Sequence, residues 1–177
     1  PKAEAPAKRV FISYRNQSPD KDLAQAFYEA FLAAGHHAFM AAASIQLGEL
    51  WRERICTELR ECDTILLLLS SLSATSEMVT EEVKRAKAWG DERREQGNPG
   101  RPVILPVRVQ FPLDDSLNYE LRGYLQQIQQ REWRSEADTA GLVAELLALM
   151  AAEGSAEKRS NAAPEEVTPT RKATVVV

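Results

Sequence analysis

The sequence predicts an α/β fold in which a five-stranded parallel sheet carries helices on both of its faces. The first observation is the run from Ile65 to Leu69, which is apolar without alternation, as in a strand that is buried on both faces. The second is the order of the other elements, because strand-like runs alternate with segments of helical periodicity. The third is the length of 177 residues, which suits one domain with a substantial core.

The first strand and the first helix are predicted between residues 9 and 35. The run RVFISY, from Arg9 to Tyr14, is rich in β-branched and aromatic residues and predicts a strand. Ser18, Pro19 and Asp20 predict a helix start, because they combine a capping hydroxyl, a proline and an acid at the positive end of the helix dipole. The apolar residues then recur at helical spacing up to a stop at Gly35: Leu23, Phe27, Ala30, Phe31 and Ala34.

A short strand, a loop and a second helix are predicted next. His37 to Met40 is the strand, and AAASIQLG, residues 41 to 48, is expected to be a loop because it carries no helix signal before Gly48. The helix is predicted from apolar residues at spacings i, i+4, i+8 and i+11: Trp51, Ile55, Leu59 and Cys62. We expect Trp51 to anchor this helix in the core.

The rest of the domain is predicted as two strands and three helices. A long helix capped by Ser76 runs toward Gln96, with Val79, Val83, Ala86 and Trp89 inward. PVILPV after Arg101 is a strand with Pro106 at its end or on an edge of the sheet. Residues 108–119 are an irregular loop, 119–127 a short helix and 129–133 a strand. The last helix has an inward stripe: Leu142, Val143, Leu146, Leu147, Leu149 and Met150.

The predicted domain covers residues 8–153, with an N-terminal extension at 1–7 and a flexible linker or tail at 154–177. After Gly154 the sequence loses its periodicity and gains Pro, Thr, Glu and Lys. The chain opens on Pro and closes on three valines, so we expect it to be part of a longer polypeptide.

Composition argues against several functional classes. A net charge of −4 and a pI near 5.4 argue against nucleic-acid binding, which requires a basic face. No stretch has the apolar length of a membrane span or of a signal peptide, so we expect a cytoplasmic protein without a membrane partner. Cys56 and Cys62 are expected to be reduced thiols. His36 and His37 are expected to lie in a helix-to-strand turn and not in a metal site.

A flavodoxin-like sheet of this kind binds ligands beyond the carboxyl ends of its strands. In this chain those ends carry Tyr14 and Arg15, the loop 41–48, and residues 70–76. A receiver domain of the same fold class would need a cluster of acids after the first strand, and FISYRN has none. Ser70, Ser71 and Ser73 have no histidine in a position that suggests a paired base, so a serine hydrolase is not predicted.

The same segments resemble TIR (Toll/interleukin receptor) domains, of the bacterial type. The motifs are VFISYRN, FMAAASIQLGELW, LLLLSSLSATSEMVTEEV and REWR, which occur in the order of the family and cover about residues 8–153. The resemblance implies that the loop after the second strand, called the BB loop in that family, contacts other TIR domains during assembly.

In NAD⁺-cleaving TIR domains the catalytic glutamate lies in the pattern S-x-W-[VC]-x-x-E-[LIV], and the resemblance places Glu82 at that glutamate. Met78 stands where the family often has Trp, and Ala41 where it often has Asp. The resemblance further implies that Arg15, Asn16 and Gln46 line the NAD⁺ pocket. The full set of predicted substrate-binding residues is Tyr14, Arg15, Asn16, Gln46, Trp51 and Met78. NAD⁺ would be the substrate, with no metal and no further cofactor.

A single carboxylate is chemically sufficient for this reaction. Cleavage of the nicotinamide glycosidic bond passes through an oxocarbenium-like state, as in glycoside hydrolysis. The leaving group is a cationic pyridinium that departs neutral, so no general acid is required. The alternative is that Glu81 and Glu82 stabilise the dipole of their helix from its early turns. The motif favours a catalytic role for Glu82 but not for Glu81.

Two functions follow from the resemblance. The first is an NAD⁺ glycohydrolase, forming ADP-ribose or cyclic ADP-ribose, activated by TIR self-assembly in defence or cell-death signalling and attached to a sensor or oligomerisation domain. The alternative is a non-enzymatic scaffold that binds other TIR domains. Glu82 favours the enzyme, whereas Met78 and the alanine-rich loop favour the scaffold.

Overall fold

The fold is seen in a computed structural model that describes residues 6–45, 47–48, 50–97 and 101–160, with side chains up to Ala152 other than that of Ala42. Over these residues one parallel sheet forms, with the strand order β2-β1-β3-β4-β5. The strands are β1 (Arg9–Ser13), β2 (His37–Phe39), β3 (Thr64–Leu69), β4 (Val103–Val109) and β5 (Arg131–Trp133). The predicted five-stranded parallel sheet is confirmed.

Helices cover both faces of this sheet. They are α1 (Asp20–Ala33), α2 (Ala41–Ser44), α3 (Trp51–Glu61), α4 (Glu77–Glu95), α5 (Tyr119–Leu125) and α6 (Thr139–Ser160), and short 3₁₀ turns lie at Ser73–Thr75 and Glu136–Asp138. The predicted elements therefore occur in the predicted order, with boundaries that differ by a few residues.

The central strand β3 joins two apolar cores. All of its residues are buried, and Leu67 and Leu69 belong to the core under α3, α4 and α5, whereas Leu66 and Leu68 belong to the core under α1 and α6. Successive side chains of a strand point to opposite faces, so a strand between two helical layers is apolar at every position. Each of these leucines contributes about 1.5–3 kcal/mol through its burial.

Neither of the two predicted hydroxyl caps forms. The residue before α1 is Pro19 and not Ser18, and no side chain caps the helix, because a proline ring carries no hydrogen-bonding group. Ser76 does precede α4, but its own side chain makes no cap; the backbone N–H and Oγ1 of Thr80 both donate to the Ser76 carbonyl instead, at 3.1 Å. The stop at Gly35 is confirmed, with a φ of +83° that favours glycine.

One expectation about local structure is wrong. Residues 41–44 form the short helix α2 and not a loop, in keeping with the high helix propensity of its three alanines. Pro106 does not lie at the end of β4, but it does lie on a local edge of the sheet. Because β5 pairs only with Val107 to Val109, the strand has a neighbour at Pro106 only on the β3 side.

Two apolar residues are not buried as the periodicity predicted. Trp51 is 48% exposed and Leu149 is 43% exposed. Both have the correct helical spacing, but no described element covers them. The rest of the predicted stripe in α6 is buried or half-buried against α1 and the sheet.

The last helix continues past Gly154 to Ser160. Residues 161–177 and 1–5 lie outside the described part, so the flexible tail remains a prediction. Within the described ranges, no helix is both long and apolar enough to cross a membrane.

Candidate functional site

A cleft of about 450 Å³ opens at the carboxyl ends of β1 and β3. The end of β1 and the residues after it form one wall, and the first two turns of α4 form another. Ala41, Ile55 and Leu72 complete it from α2, α3 and the turn after β3. The cleft therefore lies at the edge of the sheet where ligands bind in folds of this class.

The connection between β3 and α4 brings Glu82 to this cleft. A short 3₁₀ turn, Ser73–Thr75, follows the buried strand, and α4 begins at Glu77. Val79 and Val83 are buried in the core, which fixes the rotation of α4 about its axis. Glu82 follows on the cleft side and lines its floor.

Glu82 is bonded to the end of the first strand. The Ser13 Oγ lies 2.5 Å from Glu82 Oε2 and donates a hydrogen bond to it, and the Ser13 side chain is itself buried. Burial raises the pKa of the Glu82 carboxyl above its usual value of 4.5, and the bond from Ser13 lowers that pKa in part. The site thus holds a carboxylate in a partly desolvated position, with one donor that favours its charged form.

Glu81 has a different environment from its neighbour. It is 53% exposed, and its carboxylate pairs with Lys84 at 3.5 Å and with Arg85 at 3.7 Å on the surface of α4. Such pairs contribute little to stability. Of the two glutamates only Glu82 lines the cleft, which agrees with the expectation that the motif favours a catalytic role for Glu82 and not for Glu81.

The structure brings four of the predicted substrate-binding residues to the cleft: Tyr14, Arg15, Asn16 and Met78. Arg15 is half-buried and its Nη2 donates to Gln17 Oε1. Tyr14 packs in part against the core under α1. Met78 is 54% exposed at the mouth.

The other two predicted residues are not part of the described cleft. Gln46 lies outside the described residues, so its contact with substrate remains a prediction. Trp51 lines an adjoining groove between α3 and α4, with the guanidinium of Arg52 5.7 Å from its ring centroid. Trp51 is therefore neither in the core nor in the cleft.

Sequence reasoning did not single out Ser13, and it assigned Asp20 only to the start of the first helix. Ser13 is a hydroxyl at the carboxyl end of an otherwise apolar strand, a signal that could have identified it. Asp20 is 2% exposed, and burial raises the pKa of its carboxyl, while a hydrogen bond from Ser70 and the charge of Arg15 lower it. Asp20 thus connects the start of α1 to the end of β3.

The serines after β3 and the two histidines lie at opposite ends of the sheet. Ser73 Oγ accepts from the Ser70 backbone N–H at 2.8 Å and donates to the Leu68 carbonyl of β3 at 3.2 Å. His36 Nδ1 accepts from the backbone N–H of Lys8, just before β1 begins. Within the residues that the structure covers, no group of three His, Cys, Asp or Glu side chains is arranged to hold a metal ion.

A parallel sheet with helices on both faces, a cleft beyond its strand ends and a partly buried carboxylate in that cleft place the domain in the flavodoxin-like class of α/β folds. The family profile described as "TIR domain" matches residues 10–147, which is most of the chain. The chain belongs to the TIR domain family.

Solved structures agree on the fold. The TIR-STING receptor of the metazoan C. gigas, solved with 2′,3′-cGAMP, is 15% identical with a TM-score of 0.58; the match covers 81% of this chain and 39% of that one. The TIR domain of the Toll-related receptor TRR-2 from Hydra magnipapillata is 10% identical with a TM-score of 0.54, covering 81% of this chain and 98% of that one. No curated protein is significantly similar in sequence.

Proposed function

We propose that this TIR domain cleaves NAD⁺ at its nicotinamide glycosidic bond, with Glu82 as the catalytic carboxylate. The observation that carries the proposal is the position of Glu82, partly buried in the cleft and held by Ser13 at 2.5 Å. The sequence pattern of the NAD⁺-cleaving members points to the same residue independently.

The electrostatics of the site suit the proposed reaction. A carboxylate in a partly desolvated cleft stabilises developing positive charge more strongly than one in water. Oε2 of Glu82 already accepts a hydrogen bond from Ser13, so the ribose would contact the other carboxylate oxygen, Oε1. Positive charge builds up on the ribose as the glycosidic bond breaks. The bond to Ser13 also fixes the orientation of the carboxylate before substrate arrives.

The remaining cleft residues suit the parts of NAD⁺ that do not react. Arg15 supplies a cation for the pyrophosphate, and Asn16 supplies an amide for ribose or phosphate oxygens. Tyr14 offers an aromatic surface between them and the core. The product, ADP-ribose or its cyclic form, depends on which nucleophile captures the oxocarbenium ion.

Assembly with other TIR domains is the second part of the proposal. Leu47 and Leu50 are exposed on the segment between α2 and α3, the two helices that contribute Ala41 and Ile55 to the cleft. Exposed apolar residues grouped in one loop are typical of an interaction surface. A second copy bound there would help to close the cleft, and a sensor or oligomerisation domain of the same cytoplasmic protein would drive the encounter.

The same exposed leucines favour the alternative, a scaffold that only binds other TIR domains. Met78 is consistent with that alternative as well, because its thioether replaces the indole that many family members have there.

The test is nicotinamide release from NAD⁺ by protein concentrated on beads or in a crowding agent, followed chromatographically, with self-association measured on the same samples. Release by the parent and loss of release in Glu82→Ala would support the enzyme. Self-association without nicotinamide release in either protein would contradict the catalytic proposal and favour the scaffold function.

A further inference from the structure

Another pocket, of about 270 Å³, lies where the loop after β4 meets the segment between α5 and β5. Arg108, Leu113 and residues 126–130, which read Gln-Gln-Ile-Gln-Gln, line it. It shares no lining residue with the cleft that holds Glu82. Its chemistry is therefore separate from that of the proposed reaction, and we call it the Arg108 pocket.

Arg108 is a buried cation whose position is fixed by several contacts. Only 3% of the residue is exposed. Its Nε donates to Gln130 Oε1 at 2.7 Å, and its Nη1 donates to the carbonyls of Pro112 and Asp115 at 3.3 and 3.1 Å. The guanidinium also lies over the Phe111 ring, 4.5 Å from the ring centroid. These contacts hold both the place and the plane of the guanidinium.

The nitrogen Nη2 is the part of this cation that is left for a ligand. Among the described residues Nη2 has no hydrogen-bond partner. It is not one of the fully buried side-chain atoms that lack a partner, so it reaches solvent. Because Arg108 lines the pocket, Nη2 presents its two N–H groups to a ligand there.

The charge of Arg108 is not balanced by direct contact with an acid. No carboxylate in the described part of the chain forms an ion pair with it, and burial lowers the pKa of the guanidinium, while the more distant charges of Asp115 and Glu132 raise it in part. Glu132 is itself engaged by the Leu113 N–H at 2.6 Å and by Arg134 at 2.7 Å. A buried cation without a contacting counter-ion is costly, so an anion bound at Nη2 would be stabilised.

The walls of the pocket select the kind of anion. The exposed amide of Gln129 supplies a further donor, and Leu113 and Ile128 supply apolar surface. Carboxylate oxygens accept short, charge-assisted hydrogen bonds from guanidinium groups. A phosphate dianion would be repelled twice as strongly by the nearby Asp115 and Glu132 as a singly charged carboxylate. A small monocarboxylate with a short apolar chain therefore fits these walls best.

We propose that the Arg108 pocket binds a small monocarboxylate, whose oxygens accept hydrogen bonds from Arg108 Nη2 and from the exposed glutamine amides. The inference does not depend on the proposed reaction. The ligand joins the two segments that border the pocket, residues 112–115 and 126–130. Asn118 follows the first of them and donates to the Ala74 carbonyl at 2.9 Å, in the turn that leads to α4. Binding thus also stabilises the wall of the cleft from outside.

Propionate is the probe that tests this site, with propionamide as its neutral isostere and inorganic phosphate as the other anion, all at matched ionic strength. In heteronuclear NMR spectra, propionate should shift the Arg108 Nε–H signal saturably, with a Kd in the millimolar range expected for so small a ligand. The Nε–H signals of Arg131 and Arg134 should not move, because both side chains are exposed and paired with acids. Propionamide should cause no shift, and phosphate should bind about tenfold more weakly.

Gln129→Glu tests the pocket without altering Arg108. It brings a carboxylate to the rim that repels the ligand, so the affinity for propionate should fall about tenfold or more. The matched control Gln25→Glu makes the same change on the exposed surface of α1 and should bind propionate as the parent does. Arg108→Gln should abolish binding, and thermal unfolding verifies the fold of each variant.

Three results would overturn the proposed site: no saturable shift with propionate, an equal shift with propionamide, or unchanged affinity in Gln129→Glu. Phosphate that binds as tightly as propionate would overturn the assignment to a monocarboxylate. None of these results bears on nicotinamide release, so the site and the proposed reaction stand or fall separately.

Discussion

Ser13 and Glu82, 69 positions apart in the sequence, are joined by a hydrogen bond of 2.5 Å from Ser13 Oγ to Glu82 Oε2. The bond links the carboxyl end of β1 to the second turn of α4 across the floor of the cleft. It both orients the carboxylate and lowers the pKa that burial raises. The predictions below depend on this relationship and on the elements that hold it.

Replacing Ser13 by Ala should slow NAD⁺ cleavage. A hydrogen bond to a charged group is worth about 1.5–3 kcal/mol, so kcat/KM should fall roughly 10- to 100-fold. Because the bond lowers the Glu82 pKa, its loss raises that pKa, and the acid limb of the pH–rate profile should move to higher pH. Exposed Ser71→Ala is the control and should keep both rate and profile. An unchanged limb in Ser13→Ala would contradict the role given to Ser13.

Replacing Glu82 by Gln should stabilise the fold at neutral pH. Burial raises the pKa of Glu82 in the folded state above 4.5, its usual value. Between these two pKa values the folded state still holds a proton that the unfolded chain has released. The free energy of unfolding therefore falls as pH rises from 4.5 through the folded-state pKa. Melting temperatures measured against pH should coincide for parent and Glu82→Gln below about pH 4.5 and diverge above it, with the variant higher. If Glu82→Gln melted at a lower temperature than the parent at pH 7, this would contradict the claim that burial disfavours the charged form of Glu82.

Replacing Arg15 by Gln should weaken substrate binding and leave the chemical step intact. Arg15 lies at the polar end of the cleft, away from the groove between α3 and α4. Loss of a charge-assisted contact with phosphate should raise KM about tenfold or more at nearly constant kcat. Steady-state kinetics would measure this, with Lys21→Gln on the exposed face of α1 as the control. A fall in kcat at constant KM would instead place Arg15 at the reacting bond.

Replacing Asn118 by Ala should destabilise the wall of the cleft. Its Oδ1 accepts from Leu121 N at 2.8 Å and caps α5, and its Nδ2 donates to Ala74 O at 2.9 Å in the turn before α4. Loss of a cap costs about 1 kcal/mol, and each kcal/mol lowers the melting temperature by about 2–4 °C in a domain of this size. Asn118→Asp keeps the acceptor and should lose less. Equal melting temperatures for all three proteins would contradict this role.

The sequence was sufficient for the topology because β3 is apolar at every position and because helices alternate with strands. It also predicted that the residues after β1 lie at the edge of the sheet where the carboxyl ends of parallel strands meet. Glu82 was predicted only from the resemblance to NAD⁺-cleaving TIR domains, and its role stays a prediction. The sequence left open whether Pro106 lies at the end of β4 or on an edge, because the length of the neighbouring strand β5 decides this.

Two features of the site depend on distances that periodicity does not contain. Trp51 has the same helical spacing as Ile55 and Leu59. Spacing predicts on which face of a helix a residue lies. It does not predict whether the neighbouring layer of the fold extends far enough to cover the first turn of that helix, where Trp51 lies. From the sequence alone, Ser13 could have been no more than the polar residue that ends its strand. Its partnership with Glu82 depends on how α4 packs beside β1, which is a tertiary relationship.

The central claim is that Glu82 is the catalytic carboxylate, and the most direct measurement compares nicotinamide release from NAD⁺ by the parent, Glu82→Gln and Glu81→Gln under forced association. The two variants change adjacent glutamates of one helix by the same few atoms, but only Glu82 contacts Ser13 in the cleft. The account predicts release by the parent and by Glu81→Gln, and a loss of at least 100-fold in Glu82→Gln. Equal release by both variants would contradict it.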